Sequence, residues 1–197
     1  VFNVHIVDHL SAKALREKYK GHERYGVKLE NIEEVDFIWQ GQPLHELIRK
    51  EHCYDWIIAS HVIEHVPDLI SFLAECERLL KPSGVLSLII PDKRYCFDYF
   101  NFPTSTGELL DANERRCARP SPGKVFDHFA NAAMRGNSIA WDKSSSGTMK
   151  LMHTLEQARG NWEKAKSSTD YIDVHNWRFT PASFRLLLTD LRALGLS

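Results

Sequence analysis

Four short apolar runs alternate with helical patterns in the first half of the chain, and this order constrains the fold most strongly. The runs are rich in Val, Ile and aromatic residues and lack strict alternation with polar residues, which is typical of parallel strands buried on both faces. They cover Phe2–Asp8, Val35–Trp39, Tyr54–Ser60 and Val85–Pro91. Strands that alternate with helices predict an α/β fold with a parallel sheet and right-handed crossovers.

The segments between these runs carry helical patterns. Apolar residues recur there at three- and four-residue steps, which marks the buried face of an amphipathic helix. The predicted helices are Ser11–Tyr19, Leu44–Arg49 and Asp68–Leu80. The third has the strongest pattern, and we expect the turn Lys81–Gly84 to end it, with Gly84 in the left-handed conformation.

The strand and helix pattern breaks between Asp92 and Asn176. Arg94–Pro122 mixes aromatic residues with Pro, Gly and Ser, and the helical stretches that follow are Val125–Met134 and Met149–Lys166. An insertion of this length predicts a mostly helical cap over a binding site.

The core pattern returns at Thr180 and Pro181, which read as an N-cap followed by a first-turn proline. Apolar residues at helical spacing follow this pair and predict a last helix with one buried face. The sequence therefore predicts three parts, a partial core over 1–93, a substrate-binding cap over 94–174 and a return to the core over 175–197.

Composition excludes several classes of function. The 197 residues carry 25 basic and 26 acidic side chains, a formal net charge of −1. Without a basic excess, neither nucleic-acid binding nor attachment to an anionic membrane is expected. No apolar run reaches the ~20 residues that a membrane span needs. The four cysteines form no CxxC pair, which favours reduced thiols and a cytoplasmic protein.

Polar residues follow each predicted strand, at the edge where an open parallel sheet binds its ligands. These strand ends carry Asp8–His9, Gln40–Gly41, Ser60–His61 and Pro91–Asp92. The two carboxylate oxygens of Asp8 can accept hydrogen bonds from both hydroxyls of a nucleotide ribose. The same side chain can instead cap the helix that follows, so the strand end alone leaves both roles open.

One segment is far more specific than the strand ends. It reads YDWIIASHVIEHVPDLISFLAECERLLKPSGVLSLIIP and combines Asp55 near a strand start, the run Glu64–Pro67, a long amphipathic helix and an LKPxG turn. It resembles the fourth-strand to fifth-strand region of class I S-adenosylmethionine-dependent methyltransferases, especially the ubiquinone-biosynthesis-type (type 11) group of small-molecule enzymes. The resemblance covers Phe2–Pro91 and resumes over His175–Gly195.

This resemblance implies a Rossmann-like sheet, S-adenosylmethionine as the cofactor and methyl transfer to a small-molecule acceptor. It also implies cofactor contacts at the ribose, along the adenosine side, at the adenine amine and at the methionine end. Asp8 would contact the ribose, His9 and Leu10 the adenosine side, Gln40 the adenine amine, and Ser60 and His61 the methionine end.

Two features of the family are missing from this sequence. No glycine-rich loop of the kind that cradles the methionine part of the cofactor is present, and no strand precedes Phe2. The sheet that the resemblance implies would then have a gap at its centre, with backbone groups unpaired on both sides. We therefore expect a chain truncated at both ends, which binds the cofactor poorly as residues 1–197.

Glu64 and His65 are expected to begin the long helix and to orient it through hydrogen bonds. In some quinone-pathway relatives, acidic and histidine residues of this stretch bind a divalent metal. Adjacent side chains point in different directions, however, so this pair alone makes a poor metal cage, and we expect no metal site.

The acceptor is expected to bind between the cap and the returning segment. The residues predicted to contact it are Tyr95, Tyr99, His128 and Trp177. His175 resembles a histidine that faces the active-site cleft in related methyltransferases, so it is predicted as the catalytic residue, a general base or an acceptor-orienting group.

Two other functions remain to be weighed against methyl transfer. The missing glycine-rich loop is also compatible with a catalytically inactive, methyltransferase-like binding or scaffold domain. A nicotinamide-dependent oxidoreductase also places an acidic residue on the ribose, but no Tyr-x-x-x-Lys pair is present for hydride chemistry. The sequence predicts neither the acceptor's identity nor the oligomeric state.

Overall fold

The computed structural model describes residues 3–21 and 27–196. Seven helices lie in this part of the chain, namely α1 Ala12–Lys18, α2 Leu44–Ile48, α3 Leu69–Leu79, α4 Thr106–Glu114, α5 Pro122–Asn131, α6 Leu155–Ser167 and α7 Pro181–Ala193. The strands described are β1 Val7–Asp8, β2 Phe37–Ile38, β3 Tyr54–Ser60, β4 Leu80–Ile89, β5 Ala133–Arg135 and β6 Met149–Leu151. The start of the first predicted strand, Phe2, lies outside the described residues.

The described strands form three two-stranded pairs. β1 pairs with β2 and β3 with β4, both in parallel, whereas β5 and β6 are antiparallel. The β1–β2 and β3–β4 pairs share no strand pairing within the described residues. They meet through side chains, since Nδ1 of His5 lies 2.7 Å from the hydroxyl oxygen of Tyr54. The two central pairs are thus parallel, as predicted, but one continuous sheet is absent from the described part of the chain.

Of the predicted strands, only β3 keeps its predicted bounds, and β4 runs over Leu80–Ile89 instead of Val85–Pro91. β3 covers the predicted residues, whereas β1 and β2 keep only two residues each of the longer predicted runs. β4 begins already at Leu80, so no separate turn follows α3. The expectation of a left-handed Gly84 is wrong, because its φ lies outside the positive region.

The cap differs from prediction at three elements. The predicted helix Val125–Met134 is α5, Pro122–Asn131, and Met134 lies in β5. The sequence pattern missed α4, which starts with a capping box between Ser105 and Glu108. The predicted helix from Met149 is wrong in its first turn, because β6 occupies that position and Thr154 caps α6. A side-chain oxygen that accepts a hydrogen bond from the third helical N–H fixes a helix start better than apolar spacing does.

The hydrophobic core lies on one side of the β3–β4 pair. It combines buried side chains of α2, α3, α4 and α7 with two aromatic residues of the returning segment, Trp177 and Phe179. Phe179 also forms a parallel bridge with Asp92, which directs the chain past the end of β4 before α7 begins. No helix in the described part of the chain is long and apolar enough to cross a membrane.

Candidate active site

The ends of β1 and β3 lie at the same edge of the molecule. A chain of polar contacts links them: Nε2 of His9 is 3.2 Å from Nζ of Lys18, which is 3.9 Å from Oδ2 of Asp173. The other oxygen of Asp173 is 2.8 Å from Nδ1 of His65, in the turn after β3. The structure therefore brings the predicted cofactor residues Asp8 and His61 to one edge, as a shared cleft requires.

Asp8 closes β1 and also organises the turn that follows. Its Oδ1 accepts the backbone N–H of Leu10 at 3.2 Å and lies 2.8 Å from Nδ1 of His9. The helix-cap role belongs to Ser11, whose side chain accepts the N–H of Ala14, whereas Asp8 holds only the turn before α1. Its second oxygen keeps lone pairs for a ribose hydroxyl.

The remaining predicted cofactor residues are exposed at neighbouring strand ends. Gln40 follows β2, and its backbone N–H donates to the side chain of Gln42 at 2.6 Å. Ser60 ends β3 in register with Ile89. His61 follows with a φ of 54°, a left-handed conformation that is uncommon outside glycine. That conformation turns the chain sharply out of the strand, so the ring of His61 projects at the edge.

A buried carboxylate holds the predicted catalytic residue His175. Asp98, from the cap, is 1% exposed, and its Oδ2 forms a hydrogen bond with Nδ1 of His175. Its Oδ1 accepts from Nδ2 of Asn101 at 3.1 Å and from Nε of Arg178 at 3.4 Å. The ring of Phe97 packs 4.5 Å from that of His175, centroid to centroid. His175 is thereby fixed in position and orientation.

Burial and nearby charges shift the pKa values of the groups around His175 in opposite directions. Burial alone would raise the pKa of Asp98, but the hydrogen bond from His175 and the charges of His175 and Arg178 hold it below its ordinary value. Burial lowers the pKa of His128 to about 4, although the charge of Asp98 opposes that shift. His128 is therefore neutral at pH 7, and its Nδ1 accepts the backbone N–H of His175 at 3.3 Å.

Glu64 and His65 lie beside His175. Glu64 is fully buried, and its backbone carbonyl accepts the N–H of Asn176 at 2.6 Å. The ring of His65 meets that of His175 edge to face, with centroids 4.7 Å apart. Burial would lower the pKa of His65, but Asp173, Glu64 and Asp98 together raise it. One ligand atom each from Glu64, His65 and His175 lies within 4.8 Å of the others, so these three side chains could hold a metal ion.

The predicted acceptor residues do not form one group around the cluster of Glu64, His65 and His175. His128 contacts the cluster, whereas the ring of Tyr99 packs against Trp141 with centroids 6.0 Å apart. Tyr95 contributes its backbone carbonyl to the N–H of Trp141. Trp177 is 2% exposed, and its indole N–H donates to the carbonyl of Val66 at 2.7 Å. The structure places Trp177 in the core instead of on an open acceptor wall.

Sequence reasoning did not single out the carboxylates that organise the cluster. Asp98 was one of many polar residues in the cap, and Asp173 lies in a segment without helical or strand pattern. Asp98 and His175 are 77 positions apart, so only the fold brings them together. Buried polar groups need partners, and a charged residue among the cap aromatics was the one available signal.

Comparisons with known proteins found a matching family model and several similar proteins. Residues 5–88 match the family model described as a methyltransferase domain. The chain is similar to a highly reducing polyketide synthase of Aspergillus nomiae, with 30% identity over 64% of this chain, and to one of Pyrenophora dematioidea, with 31% identity over 60%. A third, from Aspergillus sclerotiorum, is 33% identical over 47% of the chain.

These relatives are much longer proteins. The chain covers 5% of the length of the first two and 4% of the third. No solved structure matches the chain significantly. The family match includes β1 to β3, α3 and most of β4, together with every predicted cofactor residue. Residues 5–88 thus match the methyltransferase-domain family, and the resemblance to class I S-adenosylmethionine-dependent methyltransferases is confirmed over that span.

Proposed function

We propose that the protein transfers a methyl group from S-adenosylmethionine to a small-molecule acceptor. The carrying observation is the shared edge of β1 and β3, where Lys18 and Asp173 connect His9, next to Asp8, with His65 in the turn that begins at His61. The family match over residues 5–88 supports methyl transfer in general, and the similarity to polyketide synthases supports an organic small-molecule acceptor.

The residues at this edge suit the adenosine part of the cofactor. The carboxylate of Asp8 is half-buried and keeps lone pairs for the ribose hydroxyls while it caps the turn at Leu10. The amide of Gln40 is exposed at the end of β2, the strand paired with β1, where its oxygen could accept the adenine amine. The bound cofactor would supply an already activated methyl group on its sulfonium. The task of these side chains is then to fix the adenosine and align the donor.

His175 is the proposed catalytic residue on the acceptor side. Asp98 holds one ring nitrogen, and Phe97 and His65 pack against the ring, so the other nitrogen has a defined position. A ring fixed in this way can orient an acceptor or accept its proton.

The ribose assignment makes the first prediction. Asp8→Asn removes the charge from a hydrogen-bond acceptor, and such bonds contribute about 1.5–3 kcal/mol. We expect about 10- to 100-fold weaker binding of S-adenosylhomocysteine, measured by titration calorimetry on the complete protein. Asp55→Asn is the matched control, since Asp55 is exposed at the opposite end of β3 and pairs with Lys81. Equal affinities of Asp8→Asn and wild type would refute the assignment.

A further inference from the structure

Three side chains from two distant parts of the chain converge next to the end of β3. Glu64 and His65 follow β3 directly, whereas His175 precedes α7. One ligand atom from each lies within 4.8 Å of the other two. Donor atoms around one ion with bonds of about 2.0–2.2 Å are roughly 3–4 Å apart. A contraction of about 1 Å would therefore close this set around an ion.

The carboxylate of Glu64 lacks the partner that its burial demands. The side chain is fully buried, and neither oxygen has a hydrogen bond from any residue that the structure describes. The nearest ring nitrogen belongs to the exposed His61, at 3.4 Å from Oε1. A buried carboxylate without compensation costs several kcal/mol, so buried charges are paired or bind metals. Glu64 therefore requires a positive group within the cluster.

Both histidines have a carboxylate oxygen beside Nδ1, in an ion pair for His65 and in a hydrogen bond for His175. Nδ1 of His65 is 2.8 Å from Asp173, and Nδ1 of His175 forms its hydrogen bond with Asp98. In each ring Nε2 is left as the nitrogen for coordination. A metal-binding histidine almost always donates its other N–H to such a partner, which fixes the tautomer and raises the basicity of the ligand.

The charges around the cluster favour a cation. Three carboxylates surround the two rings, with Asp173 beside His65, Asp98 beside His175 and the buried Glu64 next to both. Arg178 and Lys18 contact the second oxygens of Asp98 and Asp173, at 3.4 Å and 3.9 Å. Each of these two carboxylates thus meets its cation and its histidine through different oxygens.

We propose that Glu64, His65 and His175 bind one divalent transition-metal ion of the zinc or iron(II) kind. Two imidazoles and a carboxylate suit these ions, whereas Mg²⁺ and Ca²⁺ prefer oxygen ligands throughout. The adjacent pair alone cannot enclose an ion, and His175 supplies the third direction that it lacks. If the proposed methyl transfer holds, an ion on Nε2 leaves His175 to orient the acceptor, because that nitrogen can no longer take a proton.

Metal binding can be tested without knowledge of the acceptor. Chelator-treated protein is titrated with Zn²⁺ against a chromophoric competitor and with Co²⁺ by visible absorption. We expect one ion per chain. Glu64→Gln and His175→Asn should abolish the Co²⁺ spectrum, and Asp173→Asn, which removes only the partner of a ligand, should weaken binding about 10- to 100-fold. Mg²⁺ should not compete.

The controls separate this site from surface binding and from the cofactor site. His52→Asn removes an exposed ring at the opposite end of β3, next to the carbonyl of Leu80, and should leave the affinity for Zn²⁺ unchanged. Circular dichroism verifies that each variant folds. Failure of the wild type to bind Zn²⁺, Co²⁺ or Fe²⁺ overturns the proposal, as does a Co²⁺ spectrum that survives Glu64→Gln. Binding of S-adenosylhomocysteine is measured on the same samples. Failure of the metal proposal is thereby distinguished from failure of the proposed methyl transfer.

Discussion

Two thiols show how strongly the surroundings of a single residue set its reactivity. Cys76 lies in the core on α3 with no exposed surface, and Cys96 is buried beside Asp98 in the cap. Burial raises the pKa of each thiol to about 12, and the nearby carboxylates Glu75 and Asp98 act in the same direction. Because the thiolate is the reactive form, both residues are protected in the folded protein.

Alkylation measures this protection directly. With a pKa of about 12, roughly one thiol in ten thousand is ionised at pH 8. We expect iodoacetamide to modify the half-buried Cys53 in the folded protein while Cys76 and Cys96 stay unmodified, as read by peptide mass spectrometry. All three should react in denaturant, which serves as the control. Modification of Cys76 at the rate of Cys53 in the folded protein would contradict the burial of α3.

At the scale of elements, Gly84 allows β3 and β4 to approach each other. A Cβ at this position would lie 3.0 Å from the carbonyl oxygens of Tyr54 and Lys81 and 2.9 Å from Cδ2 of Leu80. Two of these atoms belong to the backbone and cannot move aside easily. Glycine is needed here because the two strands lie in close contact, whereas the sequence predicted a glycine in the left-handed conformation of a turn.

Gly84→Ala tests this close contact. Overpacking against the backbone typically costs about 1–3 kcal/mol of folding free energy, and we expect a loss of that size in denaturant unfolding. Gly160→Ala is the matched control, because Gly160 lies inside α6 and its Cβ would meet nothing within 4 Å. That variant should gain about 0.5–1 kcal/mol, since alanine favours a helix more than glycine does. Equal effects of both substitutions would rule out the contact.

Local patterns predicted the elements whose signals lie within a few residues. β3 has its predicted bounds, and α7 follows the expected cap at Thr180. The helices α1 and α3 each begin one residue after the predicted starts Ser11 and Asp68, which are their N-caps. The shortened β1 and β2 depend on pairing partners, which periodicity cannot reveal. The helical spacing after Met149 gave way to pairing between β6 and β5, a tertiary effect that overrides local preference.

The same limit applies to the candidate site. The strand ends Asp8 and His61 could be placed at one edge because parallel strands end together. The contacts of His175 with Asp98 and His65 could not, because they join the cap, the turn after β3 and the returning segment. Predicting them requires the path of the cap over the sheet, which no local spacing encodes.

At the scale of the whole molecule, one face of the β3–β4 pair is uncovered in the described structure. Trp56 and Ile58 of β3 are 63% and 70% exposed, and Val85 and Ile89 of β4 are 41% and 53% exposed. Trp56 lies in register with Val85, so the four side chains share one face. Parallel sheets are normally buried on both faces, and an apolar surface of this kind attracts hydrophobic ligands.

Dye binding measures this uncovered face. We expect residues 1–197 to bind the hydrophobic dye ANS, and the double substitution Trp56→Lys with Ile58→Lys to abolish most of its fluorescence. Two charges break the continuity of the apolar surface without disturbing the core on the other side of the sheet. Leu155→Lys with Leu186→Lys is the control, because these leucines are equally exposed but lie on separate helices. If the control reduces the signal as much as the strand variant, the dye reads general surface hydrophobicity and the face is not the site.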